Sequence, residues 1–205
     1  MKLFYMPGAC SLVPHTALQW IGKPYEAVGM SREGIKEPAY LAMNPQGAVP
    51  LLVDGELVLS QNVAILAYLD ARFPEANIFG SSTIEGKAQS WRWLAFLNGD
   101  VHKTFTPLFG VPPWVKDDAT RDAMQQASRE KIVGMLKQAD DRLAGQTWLG
   151  GHDISVADVY LFTIMRWAAA LSIDLSALGH LKDLFARVAQ NAGVREVCAQ
   201  EGIKL

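Results

Sequence analysis

Over residues 1–73, short apolar runs alternate with stretches of helical spacing and are broken by Gly, Pro and Asp. KLFY at 2–5 stops at Pro7-Gly8 and reads as a buried strand. Residues 12–21 place apolar side chains at helical intervals and stop at Gly22, with Ser11 as N-cap. Pro14 falls in the first turn of that helix, where no intrahelical N–H is needed. Residues 25–30 form a second strand, and 31–43 are irregular or weakly helical. NPQGAVPLLVDGELVLS at 44–60 reads as turn, strand, Asp54-Gly55 hairpin turn and strand. Residues 61–72 are helical, with Val63, Ile65, Leu66 and Leu69 apolar and a stop before Pro74.

PEANIFGSST at 74–83 has the composition of a linker, and beyond it the strand signals vanish. Helical patterns follow at about 84–109, 117–143, 155–172, 177–191 and 194–201, broken at Gly110-Val-Pro-Pro113 and Gly150-Gly151. SVAD at 155–158 resembles a capping box, with Asp158 in place of the usual Glu and Ile154 as hydrophobic staple. The pattern predicts an α/β plus all-α protein: a βαβ-ββα domain over 1–76, a linker over 77–83 and an all-helical domain over 84–205. The six tryptophans are expected mostly in the core.

Composition narrows the setting. A chain of 205 residues can bury a large core; half of it is hydrophobic, a fifth is charged, and the net charge is −2. Neither sign of charge dominates, so nothing steers the chain toward nucleic acid or an anionic membrane. No apolar run approaches the roughly 18 residues of a membrane span, and the N-terminal stretch before Pro7 is too short for a secretory signal. Cys10 and Cys198 lie at opposite ends of the chain and form no disulfide framework, which points to a reducing, cytoplasmic compartment. The four histidines are scattered, with no Cys or paired carboxylates at ligand spacing, so no metal site is expected. GxGxxG, phosphate-loop and GxSxG motifs are absent.

Cys10 stands where a strand has ended and a helix begins. Free cysteine is often simply a small buried hydrophobe. A thiol at a helix N-terminus, however, meets unpaired N–H groups and the positive end of the dipole, which favour the thiolate. That reading predicts a lowered pKa for Cys10 and none for Cys198. Thioredoxin-like redox proteins carry CxxC here, whereas this chain has Cys10-Ser-Leu-Val13, so a disulfide of Cys10 needs an outside partner. Position alone leaves the two readings balanced.

Five stretches in order, MKLFYMPGACSLVPHTAL, NPQGAVPLLV, SQNVAILAYL, DVHKTFTPLF and ISVADVYLFTIMRWA, resemble a bacterial glutathione S-transferase of the beta (cysteine) class over essentially the whole chain. The resemblance implies a thioredoxin-like N-terminal domain that binds glutathione, a helical domain forming the electrophile pocket, and a homodimer. It implies that Cys10 contacts the glutathione sulfur and can form a mixed disulfide with it. Val49-Pro50 reads on its own as a strand-start proline; the resemblance implies a cis bond, with Val49 pairing to the cysteinyl part of glutathione.

Gln61-Asn62 opens a helix, where backbone N–H groups suit a carboxylate or serve only as caps. The family more often has Glu-Ser or Glu-Gly here, the acid holding the γ-glutamyl ammonium and its neighbour the carboxylate; Gln61 keeps a carbonyl and loses the charge. His102, Phe105, Thr106 and Phe109 share a helix face, and Asp100 lies about 200° round from His102. Spacing alone does not separate His102 from His15, His152 or His180. The resemblance assigns His102 to its own subunit's cleft as a catalytic base and Asp100 to the partner subunit's glutathione. It also makes Lys103, Arg32 and Lys36 candidates for glutathione contact, and Phe105, Thr106, Phe109 and Trp167 candidates for the electrophile pocket. Pro107 should bend the helix beside that pocket. Tyr5 and Ser11 are read as packing and cap, although other transferase classes use an early Tyr or Ser hydroxyl. No tightly bound cofactor is implied; glutathione is a co-substrate. Three functions follow: conjugation of glutathione to hydrophobic electrophiles, glutathione-dependent thiol–disulfide exchange, or non-catalytic binding.

Overall fold

The computed structural model describes residues 1–205. Four strands, β1 (Lys2–Tyr5), β2 (Glu26–Gly29), β3 (Leu51–Asp54) and β4 (Leu57–Ser60), form one mixed sheet in the order β2-β1-β3-β4. β1 runs parallel to β2 and antiparallel to β3, and β3 is antiparallel to β4. The helices of this part are α1 (Leu12–Ile21), α2 (Pro38–Met43) and α3 (Asn62–Arg72). Strand alternation sorts the sheet's two faces: Leu3 opposite Leu52 points into the main core, and Phe4 opposite Leu51 points to a small cluster with Ile35 and Tyr40 beneath α2. The β3–β4 hairpin turns through Gly55-Glu56, one residue later than expected, because Asp54 is still paired with Leu57. Gly55 takes φ 60°, as a tight two-residue hairpin requires.

From α4 (Ile84–Ala95) onward all regular structure is helical: α5 (His102–Thr104), α6 (Thr106–Phe109), α7 (Asp118–Leu143), α8 (Val156–Ala170), α9 (Gly179–Gln190) and α10 (Ala192–Gln200). The single helix expected over 84–109 is broken twice. A π-helical turn occupies Phe96–Val101, and a second break at Phe105 separates α5 from α6. Pro107 lies at the start of α6, where its missing N–H costs nothing. Gly22 ends α1 in the left-handed conformation (φ 68°).

α1 is the element that joins the two halves. Every residue from Leu12 to Leu18 is buried, because α3 packs on one side and α8 and α10 on the other. The 38-residue main core consequently runs without interruption from Leu3 to Cys198. The stretch with linker composition joins this core too: Ile78 and Phe79 are fully buried, and Phe79 stacks on Trp91 at 4.4 Å. Its carbonyls are used as acceptors, Ile78 C=O by Val156 N–H (2.9 Å) and Gly80 C=O by Asp153 N–H (3.0 Å). Of the six tryptophans only Trp93 is buried; Trp20, Trp91, Trp148 and Trp167 line the core's edge, and Trp114 is exposed.

The capping box at the start of α8 forms as the sequence indicates. Asp158 is fully buried and accepts from Leu149 N–H (2.8 Å), Ser155 N–H (2.8 Å) and the Ser155 hydroxyl (2.7 Å). Asp158→Ala strands two buried backbone donors as well as removing the cap. It should destabilise the protein by roughly 2–4 kcal/mol, read as a lowered urea midpoint at unchanged slope.

Candidate active site

β1 delivers the chain to a loop that is closed on itself and anchored from afar. Ser11 Oγ accepts from Met6 N–H (3.1 Å) and donates to Met6 C=O (3.3 Å). Ser11 itself has helical φ/ψ and makes no side-chain cap, so it ties the loop together instead of capping α1 as expected. Gly8, at φ 71°, donates its N–H to Glu201 Oε2 (2.9 Å) and accepts from Trp167 Nε1 at its carbonyl (2.8 Å). Two residues on, Cys10 is 9% exposed with Sγ 3.7 Å from Val49 C=O. The Val49–Pro50 peptide is cis. Tyr5 packs against the His15 ring (4.9 Å) and lines neither cavity described below.

A polar cleft of about 280 Å³ opens on one side of Cys10. Val49 and Pro50 form one wall, Gln61 and Asn62 at the start of α3 another, and Asn98, His102 and Lys103 the third. Gln61 holds φ 74°, outside the usual range for a side-chain-bearing residue, and its amide donates to Gln46 Oε1 (2.9 Å). Asn62 is buried and its Oδ1 has no partner. Asn44, Gln46, Ser60 and Asn98 also line this cleft and were not singled out by sequence. Asn44 and Gln46 belong to a stretch that reads as a turn, and Asn44 does serve the turn by donating to Ala48 C=O (2.7 Å).

On the other side of Cys10 lies an apolar cavity of about 680 Å³. Cys10, Ala48, Val49 and His102 are common to both. Phe109 and Trp167 line the apolar cavity, with Arg32 and Lys36 its two charged residues; Lys36 Nζ donates to Gly47 C=O (3.2 Å). Two residues expected here do not line it. Phe105 is fully buried behind Phe109 and Trp167, its ring 5.8 and 5.7 Å from theirs, and Thr106 is exposed and lines neither cavity. Asp100 is absent from both cavities and lines a third depression with Lys103, Thr104 and Lys131, on the face opposite His102.

Comparison with known proteins gives this geometry a context. The family model described as "Glutathione S-transferase, N-terminal domain" matches residues 1–71, and "Glutathione S-transferase, C-terminal domain" matches 102–192. Glutathione S-transferase GST-4.5 of Xanthomonas campestris is 39% identical over 99% of this chain and 100% of its own. The chain belongs to the glutathione S-transferase family. Among solved structures, a glutathione S-transferase from Xylella fastidiosa superposes with TM-score 0.94 at 37% identity, covering 99% of both chains. A bacterial beta class glutathione S-transferase of Sphingomonas chungbukensis gives 0.87 at 33% identity over the whole of both.

In this glutathione S-transferase the charge state of Cys10 departs from the sequence expectation. Burial pushes the thiol pKa up. The Asn62 amide, the N–H groups of Cys10 and Ser11, and Lys103 all favour the thiolate, so the helix-start effect has the expected sign. Loss of hydration outweighs their sum, and the free enzyme holds a neutral thiol. Cys198, also buried, is pushed up to about 11.

His102 is driven the other way, down to about 4, first by burial and then by Lys103. Its Nδ1 lies 2.8 Å from the Tyr160 hydroxyl. A histidine whose folded pKa lies below its unfolded value of 6.5 favours the folded state above pH 6.5, and that contribution is lost as pH falls toward 4. The His102 ring carbon shifts, followed by NMR, should therefore show no titration between pH 8 and pH 5. Over the same range Cys10 should react with a thiol reagent more slowly than a free small thiol.

Proposed function

We propose that this protein is a beta-class glutathione S-transferase that joins the glutathione sulfur to soft, hydrophobic electrophiles, working as a homodimer in the cytoplasm. The observation that carries the reading is that Cys10 and His102 stand on the wall shared by a polar and an apolar cavity. A peptide thiol lying in the polar cleft presents its sulfur there, against an apolar compound in the other. Val49 lies on the same wall and pairs with the cysteinyl backbone of glutathione, beside Pro50. The start of α3 takes the γ-glutamyl end, with N–H groups for its carboxylate and the unpartnered Asn62 Oδ1 for its ammonium. Gln61 brings no charge to that ammonium, so Asp100 of the partner subunit and the Gln61 carbonyl supply the remaining acceptors. Lys103 borders both the cleft and the depression of Asp100 and adds positive charge near the sulfur. Arg32 and Lys36 flank the Val49 side and suit the glycyl carboxylate. Phe109 and Trp167 shape the electrophile pocket, and Phe105 supports them from behind.

In the reaction the glutathione S–H bond breaks, its proton passes to His102, and the electron pair left on sulfur forms the S–C bond to the electrophile. With an aryl halide the C–halogen bond breaks and halide leaves with its electron pair. The Cys10 thiol, neutral in the free protein, donates a hydrogen bond to the developing thiolate. A second reading has support in Cys10's reach into a cleft that holds no other cysteine. Its thiolate can attack oxidised glutathione, forming a protein–glutathione disulfide and releasing one glutathione thiolate. A non-catalytic binder would have no use for a thiol and a neutral imidazole on the wall between two cavities.

Two measurements test this. Cys10→Ala should abolish the mass increase of a bound glutathione after incubation with oxidised glutathione, yet keep binding and part of the conjugation rate with an activated aryl halide. His102→Ala should lower conjugation about 10²-fold or more while the disulfide still forms. Equal loss of both activities in Cys10→Ala would make Cys10 essential to transfer itself. Separately, Asp100→Asn should weaken glutathione binding by calorimetry and leave the dimer intact by light scattering.

A further inference from the structure

His102 does not stand alone: its inner nitrogen is committed to a hydroxyl that is itself committed. Nδ1 lies 2.8 Å from Tyr160 Oη, and the Tyr160 hydroxyl donates to Asn98 Oδ1 at 3.1 Å. Tyr160 is fully buried on α8, so both ends of its hydroxyl must be satisfied within the protein. Asn98 and His102 reach the same hydroxyl because residues four apart on a helix share one side, here where the π-helical turn Phe96–Val101 runs into α5. A phenol has a single proton. Once it goes to Asn98, only the oxygen lone pairs remain for the imidazole, and a contact at 2.8 Å then requires the proton to be on Nδ1.

We infer that Tyr160 is a positioning residue whose hydroxyl, its proton drawn off by Asn98, holds His102 in the Nδ1–H form and leaves Nε2 as an unprotonated acceptor toward the sulfur site. The inference rests on the reading of His102 as the base. In the opposite tautomer Nε2 would carry a proton and could not accept one from the glutathione thiol. After transfer the imidazolium keeps its Nδ1–H on Tyr160, so the new charge has an acceptor already in place. The ring is held from its other side by Trp167, 4.7 Å away, which limits rotation out of this arrangement.

Asn98 sets the direction of the chain, so removing either partner has a defined result. With histidine labelled by ¹⁵N, long-range ¹H–¹⁵N spectra at pH 7 should show a protonated Nδ1 and a free Nε2 for His102. Tyr160→Phe removes the acceptor and should move the proton to Nε2. Asn98→Ala lets Tyr160 donate to Nδ1 instead and should do the same, which keeps the test open if Tyr160→Phe folds poorly. Both variants should lower kcat for the activated aryl halide about tenfold, a part of what a general base supplies; in Tyr160→Phe, at a residue that lines neither cavity, KM for glutathione should be unchanged. In a His102→Ala background the second substitution should change nothing further. A wild-type spectrum with protonated Nε2, or a tautomer unmoved by both variants, overturns the inference. Absence of aryl halide turnover in the wild type would instead count against the proposed reaction, since the spectra read the tautomer without it.

Discussion

The site hangs on the two hydrogen bonds that grip Gly8. Its N–H goes to Glu201 at the end of α10 and its carbonyl takes the Trp167 indole of α8, so both backbone polar groups of one loop residue are satisfied by the helical half of the chain. Glu201 is buried, and its other oxygen lies 2.8 Å from His15 Nδ1, while His15 Nε2 contacts Gln200. Taking a carboxylate out of water costs several kcal/mol, offset only where donors surround it. Here the donors are the loop before Cys10 and the middle of α1. The same contact that makes burial of Glu201 tolerable therefore fixes where the thiol stands.

That arrangement explains why the two cavities beside Cys10 lie on the seam between the halves and not within either. Cys10 stands two residues before α1, which is covered by α3, α8 and α10 and so cannot shift without disturbing both halves. The polar cavity takes its walls from the segment before β3, the start of α3 and the broken helix after α4; the apolar one takes them from the Gly8 loop, the same segment before β3, α6 and α8. A seam supplies what neither half has alone, backbone edges on one side and aromatic side chains on the other. The buried stretch around Phe79 keeps the halves in register, because its carbonyls bind the chain just before α8.

What the sequence disclosed followed the range of the interaction. Strand runs, the Gly22 stop and the Ser155–Asp158 box act over a few residues and could be read directly. The hold of Glu201 on Gly8 spans 193 positions, and nothing near either residue announces it. Residues 74–83 look like a linker because Asn, Gly and Ser dominate locally, yet Ile78 and Phe79 find partners in α4 and α8. The π-helical turn left the 84–109 periodicity intact to the eye, and with it the presence of Asn98 in the cleft went unseen. Tyr160 sits inside an apolar run, so its hydroxyl was invisible among core residues. Thr106 has the helical spacing of His102 and Phe109 yet is exposed outside both cavities, which spacing alone does not reveal.

The reversal at Cys10 shows how terms of opposite sign combine at such a site. Helix-start amides, Lys103 and the Asn62 amide favour negative charge on the sulfur, but in the empty protein burial defeats them. His102 is likewise kept neutral, with Lys103 and burial both opposing its proton. The resting cleft thus contains donors for an anion and an uncharged base, and no anion of its own. A thiol that arrives with its own hydrogen-bonding backbone meets those donors already oriented, so charge need develop only on the incoming sulfur when it reacts. On the proposed reading this separates the two chemistries open to Cys10: as a neutral donor it assists transfer at ordinary pH. As a nucleophile it must first ionise against its own burial.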